Sequence, residues 1–294
     1  MKISAFDTFQ DKILLVITYI ILTFIGIITL YPFWDLFVLS ISPYEESYKM
    51  GIRLFTLSPT LDSYKKVLMN PEIARGYSNT IVRTVLGTAI GVFITILTAY
   101  PLSKRNLPFN KVVTTLFVFT MIFGAGLIPS YLNIKSLGLI NTFWVLIIPV
   151  AISPYNIIIT RNFFRSIPDS LSESAKIDGA SEFRIWYQIV LPLSKPVIAT
   201  IALWVAVAHW NSYFDALIYI TDRSKMVLQV ILRRIVLENQ TQDMLLESAG
   251  ITQKATPEII KATVIMVATL PILCVYPFVQ KYFVKGVMLG SVKG

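Results

Sequence analysis

The chain has 294 residues, of which 55% are hydrophobic and only 15% charged, with a mean hydropathy of +0.66. A soluble domain carries about 25% charge, so there is too little polar surface here to cover a water-soluble globule. The apolar content also excludes disorder and a fibrous repeat, and a polytopic α-helical membrane protein remains. The net charge of +9 does not indicate nucleic acid, because no basic cluster with interleaved aromatics exists. Basic residues flanking spans and meeting anionic membrane lipid account for it. Cys274 is the single cysteine and sits in an apolar run. It forms no internal disulfide and does not report on redox compartment.

A helix needs about 20 apolar residues to cross roughly 30 Å of hydrocarbon. Charge-free runs over Ile13–Trp34, Thr84–Ser103, Val112–Ile134, Ser136–Thr160, Pro196–Phe214 and Ala262–Gln280 predict six transmembrane helices in a single domain over 1–294. Barrel strands would be about half as long and would alternate polar with apolar. The first run is too long for a signal-peptide core and reads as a retained helix.

Between the first two runs, Asp35–Arg83 reads as external, with a short helix over Asp62–Leu68. Gly124, Gly126, Pro129, Lys135 and Gly138 predict a tight external turn between the third and fourth spans. Two short segments are basic and free of acids: Lys104–Lys111 with Lys104, Arg105 and Lys111, and the tail with Lys281, Lys285 and Lys293. The positive-inside rule puts both, and both termini, in the cytoplasm of a plasma-membrane protein. The long segments 161–195 and 215–261 then fall inside and outside respectively, and connections of that length usually carry function.

Several chemistries are missing from the sequence. There is no G-x-x-x-x-G-K-S/T loop for ATP, no H-E-x-x-H, no cysteine pair and no G-x-S-x-G. His209 is the only histidine, so neither a metal cluster nor a Ser-His-Asp triad is expected, and no enzyme activity. The predicted spans hold no Asp, Glu, Lys or Arg. Ion-driven carriers usually place such groups near mid-membrane. Active transport would therefore need a driving force from a partner.

The cytoplasmic segment is the most informative. Pro168 ends the preceding helix. Ser170 and Glu173 have capping-box spacing, which predicts a new helix start, and Asp178-Gly179 predicts its end. In a second helix Phe183, Trp186, Tyr187 and Val190 would form one apolar stripe, closed by Pro192 and Pro196. A stubby helix between proline breaks suits insertion into a groove on a partner. A hairpin lying on the membrane surface is the other reading.

Glu173-Ser174-Ala175, Gly179 and Ile189-Val190-Leu191-Pro192 resemble the E-A-A-x3-G-x9-I-x-L-P signature of ABC importer permeases, with Ser174 in place of its first Ala. Trp210-Asn211-Ser212-Tyr213 and the ending Gln280–Gly294 resemble the carbohydrate-uptake branch. Gly126–Tyr131 and Ser136–Thr142 are similar to permeases for complex oligosaccharides or polysaccharide fragments. The resemblance implies an all-α type I permease fold that forms half of a translocation pore. It implies three kinds of partner beside the membrane lipid already expected from the charge pattern: a second homologous permease subunit, a cytoplasmic ATPase dimer carrying ATP and Mg²⁺, and an extracellular solute-binding protein. It makes 173–179 the coupling helix, with Glu173, Ser174, Ala175, Asp178, Gly179 and Ala180 as the coupling residues. Glu173 has the capping box as its alternative role.

Sugars are read by hydrogen bonds and aromatic stacking. Trp204, His209, Trp210, Asn211 and Tyr213 crowd the external end of the fifth span and are the candidate substrate pathway. Aromatic anchoring at headgroup level is the alternative for the tryptophans and tyrosine, and hydrogen-bonded packing is the alternative for His209. In the external loop, Glu238, Asn239, Gln240, Gln242 and Asp243 are the candidate binding-protein contacts. The competing function is a secondary carrier or facilitator working without an ATPase.

Overall fold

The computed structural model describes residues 9–47, 51–235 and 258–274. In chain order the helices are α1 (Phe9–Ser40), α2 (Tyr44–Ser47), α3 (Asp62–Met69), α4 (Pro71–Ser103), α5 (Asn110–Ile122), α6 (Leu127–Ser136), α7 (Pro154–Ser166), α8 (Asp169–Ile177), α9 (Glu182–Ile185), α10 (Leu191–Leu193), α11 (Lys195–Asn211) and α12 (Phe214–Tyr219). Two more cover 228–235 (α13) and 258–274 (α14), and the described residues contain no strand. The all-α class expected from composition is what the chain adopts.

The chain divides into two compact units. One lies within Met1–Asn70 and Ile235–Thr269. Its α1 is apolar on every side and buries only Val38, Leu39 and Ser40. A helix of that kind belongs in lipid or against other spans. At its buried end Leu39 packs with Ile259 and Ala262, and the Ser40 hydroxyl meets the Tyr64 hydroxyl at 2.8 Å. The helix expected over Asp62–Leu68 is α3.

The other unit lies within Pro71–Arg234 and Leu270–Gly294 and is built around α4. This helix, about 50 Å long at 1.5 Å per residue, buries Gly76, Thr80, Arg83, Gly87, Gly91, Thr95 and Ala99 along one face. Small residues three and four apart let neighbouring backbones approach closely, the usual device between membrane helices. Cβ atoms on Gly76 and Gly91 would meet Leu228 and Val205 at 3.2 and 3.3 Å. In this unit α7 and α11 pack directly on α4.

Three predicted boundaries change. The second span starts at Pro71 rather than at Thr84, because proline at the first helical position initiates the helix and Glu72, Arg75 and Arg83 do not stop it. The third run is not one helix: α5 and α6 bend by 117° at a break. Gly126 takes φ +82° there, and Pro129 is tolerated in the first turn of α6, where its missing N–H has no partner to lose. The fourth run opens with two 3₁₀ turns, Phe143–Leu146 and Ile148–Val150, which meet α7 at 48°. Pro154 starts α7, and the Ser153 hydroxyl caps it by accepting from Asn156 N.

Among the described residues two helices, α1 and α4, are long and apolar enough to cross a bilayer unbroken, and up to five spans result if each bent pair counts as one.

Candidate functional site

The segment after α7 folds as the sequence suggests in outline, with a different cap. Ile167 is extended, as the residue before a proline should be. Pro168 occupies the N-cap of α8 and no side chain caps the helix. The capping box expected from Ser170 and Glu173 therefore does not form. Proline fixes the entry angle one residue earlier, and Asp169 supplies first-turn charge for the helix dipole.

The other end is a complete Schellman motif. Gly179 N donates to Lys176 O at 3.0 Å and Ala180 N donates to Ala175 O at 2.9 Å. Gly179 takes φ +77°, the left-handed conformation that glycine adopts without a Cβ penalty. The α6 end repeats it: Gly138 at φ +68°, with bonds Gly138 N to Lys135 O at 3.0 Å and Leu139 N to Ile134 O at 3.2 Å.

No residue of α8 is buried. Glu173, Ser174, Asp178 and Gly179 are exposed, whereas Ala175 and Ala180 lean on the cluster of Ala99, Leu102, Ile157, Phe164, Ile185 and Val190. The two alanines therefore seat the helix on its own unit, while the other four candidates face outward. Sequence reasoning missed Ile177, an isoleucine 87% exposed at the tip. The available signal was one large apolar side chain in an otherwise polar stub.

Beyond Gly179, Ser181 caps α9 through its hydroxyl, which accepts from Arg184 N. The single apolar stripe expected from Phe183, Trp186, Tyr187 and Val190 does not hold. Trp186 and Val190 are buried, while Phe183 and Tyr187 are exposed. The backbone passes into a π-turn over Trp186–Val190, which offsets the 3.6-residue period and splits the stripe.

Glu182 was not singled out by sequence. Its carboxylate accepts from Lys176 Nζ at 2.6 Å and from the Tyr100 hydroxyl at 2.8 Å, with Lys104 Nζ at 3.8 Å. The Lys176 hydrogen bond, then that of Tyr100, holds this carboxyl below its ordinary range. The same bond raises Lys176.

The second candidate region surrounds the end of α11. Arg83, 1% exposed, grips Asp215 with both terminal nitrogens; Nη1 lies 3.2 Å from Oδ1 and Nη2 pairs with Oδ2. Arg83 Nη1 also donates to Ser212 O at 3.3 Å, and Nε donates to His209 Nδ1 at 3.4 Å. Asp215 accepts further from Ser212 Oγ at 2.9 Å and Ala216 N at 2.8 Å. His209 is 4% exposed, with its ring against Gly87, where any Cβ would collide with it. The expectation that no ionisable group lies in a spanning helix is thus corrected: Arg83 sits inside α4, just before the charge-free run, and is satisfied by a carboxylate, a carbonyl and an imidazole.

The other aromatic candidates separate. Trp210, 8% exposed, stands edge-on to Tyr77 at 6.0 Å. It borders a wholly apolar cavity of about 200 Å³ that Ile81, Val85, Leu203, Val207 and Pro271 also line. Trp204 lies against Tyr155 at 6.0 Å. Asn211 and Tyr213 are exposed. Asn211 Nδ2 donates to Val207 O at 2.9 Å, and the Arg233 guanidinium covers the Tyr213 ring at 4.9 Å. Glu238, Asn239, Gln240, Gln242 and Asp243 lie outside the described residues, as does the chain ending. No group of three or more metal-ligating side chains occurs among the described residues.

Residues 73–289 match the family model described as "Binding-protein-dependent transport system inner membrane component". The chain is 46% identical over 272 residues to "Protein LplC" of Bacillus subtilis (strain 168), covering 92% of this chain and 91% of that one. It is 41% identical over 285 residues to the "Polygalacturonan/rhamnogalacturonan transport system permease protein YtcP" of the same organism, covering 97% and 100%. A solved bacterial ABC transporter "involved in the import of the acidic polysaccharide alginate" superposes with a TM-score of 0.87 at 32% identity, covering 95% of this chain and 100% of that one. With these matches running through the hairpin and the α11 cluster alike, the chain belongs to the inner-membrane components of binding-protein-dependent transport systems and has their type I permease fold.

Proposed function

We propose that this chain is the permease subunit of an ATP-driven importer of oligosaccharides or polysaccharide fragments. It would form one half of the pore beside a homologous subunit. Both termini and the hairpin face the cytoplasm, and an external binding protein delivers the sugar. The observation that carries the reading is α8: a short exposed helix closed by a glycine motif, seated by Ala175 and Ala180 on a cluster drawn from α4, α7, α9 and the π-turn, with Glu173, Ser174, Ile177, Asp178 and Gly179 turned outward. That is the shape of a plug for a groove in an ATPase. Hydrolysis of ATP, with its Mg²⁺, belongs to that partner. The named cargo of the relatives supports a polysaccharide-derived substrate.

The sugar pathway is assigned to the α11 end. Asn211 and Tyr213 present exposed polar and aromatic groups for hydrogen bonding and stacking, with Trp204 and Trp210 lining the approach. His209 supports them through Arg83. Glu238, Asn239, Gln240, Gln242 and Asp243 contact the binding protein. Isolation from native membranes in mild detergent tests the assembly. A second permease and an ATPase should co-purify in stoichiometric amount, and recovery of this chain alone at full transport activity would support a facilitator instead.

A further inference from the structure

Glu182 has two carboxylate oxygens, and each holds a different element. Oε1 takes Lys176 Nζ of α8 at 2.6 Å. Oε2 takes the Tyr100 hydroxyl of α4 at 2.8 Å, with Lys104 Nζ at 3.8 Å. The α4 end of this bridge is itself braced. Lys104 Nζ sits 4.8 Å over the Tyr100 ring, and that ring packs against Phe164 of α7 at 6.5 Å and Trp186 of the π-turn at 6.4 Å. The α8 end is short and stiff. Only Asp178–Ser181 separates the helix from Glu182, and the Gly179 motif fixes the reversal.

Stability does not explain this arrangement. Lys176 and Glu182 are both about half exposed, and an exposed ion pair contributes roughly 0–1 kcal/mol. The apolar seat of Ala175 and Ala180 already holds α8 near its unit. Two small alanines resist separation but leave the helix free to pivot. A carboxylate with one hydrogen bond to each side removes that freedom, because hydrogen bonds are directional. We propose that Glu182 is a positioning residue that bridges the coupling helix to the cytoplasmic end of α4, so that movement of α8 is delivered to α4 as a rigid displacement. The proposal rests on the reading of α8 as the ATPase-docking helix.

The test uses the complete importer in proteoliposomes and reads three quantities: ATPase co-purification, ATP hydrolysis, and sugar moved per ATP. Glu182→Gln should keep the ATPase bound and hydrolysis within about twofold, as loss of an exposed pair allows. Sugar per ATP should fall by about fivefold or more, the lower end of coupling between sites. Lys176→Gln releases one end of the bridge and Tyr100→Phe the other. Each should uncouple similarly, and the double variant should be no worse than either single one, because a bridge fails once either end is free. An unchanged ratio in Glu182→Gln, or additive losses in the double variant, overturns the bridge. If Glu182→Gln fails to reach the membrane, Tyr100→Phe, which removes one hydroxyl only, carries the same test. Gly179→Asp is measured in parallel. Should it alone disturb the ATPase while the Glu182 set is silent, docking stands and the bridge is wrong. Should it too be silent, the docking of α8 fails and the bridge with it.

Discussion

Arg83 on α4 holds Asp215 on α12 through both terminal nitrogens across 132 positions of sequence. The pair locks the start of α12 to the middle of the central helix, beside the residues assigned to the sugar pathway. Breaking a buried pair by removing one partner costs about 3–5 kcal/mol, whereas replacing both with apolar groups is often close to neutral. Asp215→Asn should therefore lower the thermal stability of the detergent-solubilised complex more than the double variant Arg83→Met/Asp215→Leu does. Equal loss in the two would show that the ion pair is not what holds these helices.

Gly87 makes room for the His209 ring. Gly87→Ala forces a Cβ into the imidazole, and overpacking of this kind costs about 1–3 kcal/mol. His209→Ala in the same chain should recover most of that loss, since it vacates the space. If the single variant is as stable as the parent, or if the second substitution deepens the defect, α4 and α11 do not meet in this way.

Glycines 179 and 138 form a matched pair. Both take positive φ, both close a helix in the same motif, and a Cβ on either meets nothing within 4 Å in the chain. Alanine at each should cost about 1 kcal/mol of backbone strain. On the proposed docking of α8, only Gly179→Ala should also weaken association with the ATPase, because only there would a partner wall fill the open space. Equal effects on association, measured by co-purification, would remove Gly179 from the coupling surface.

Much of this was legible in the sequence, and the exceptions have physical causes. Apolar runs marked α1 and the inner part of α4, because lipid demands an unbroken apolar helix. The boundaries moved where prolines and glycines outweighed hydropathy: Pro71 extended α4 backwards, and Gly126 split the third run. Gly179 was readable because a reversal after a short helix needs positive φ. The Ser170–Glu173 box failed because Pro168 had already set the entry. Arg83 was placed in a loop because a charge ends a hydropathy run, although the backbone hydrogen bonds continue through it and Asp215 neutralises it from far along the chain. Tyr100 and Glu182 were invisible for the same reason: their meeting depends on packing 82 positions apart. The α4 stripe could have been found, since Gly87, Gly91, Thr95 and Ala99 recur every four residues.

Membrane orientation is open to direct measurement. In a Cys274→Ser background, an impermeant thiol reagent should label a cysteine at position 135 from outside intact cells and leave one at position 107 unlabelled. The reverse pattern would invert the topology and put α8 on the wrong side for an ATPase.

The central claim, that ATP hydrolysis on a partner drives sugar through this chain, is tested most directly by uptake into proteoliposomes. The purified complex is reconstituted with ATP and Mg²⁺ enclosed, and a labelled oligosaccharide with its binding protein is added outside. Sugar should accumulate against its gradient only with enclosed ATP and only with the binding protein present. Equal uptake with ADP enclosed, levelling off at the outside concentration, would contradict the account and identify a facilitator.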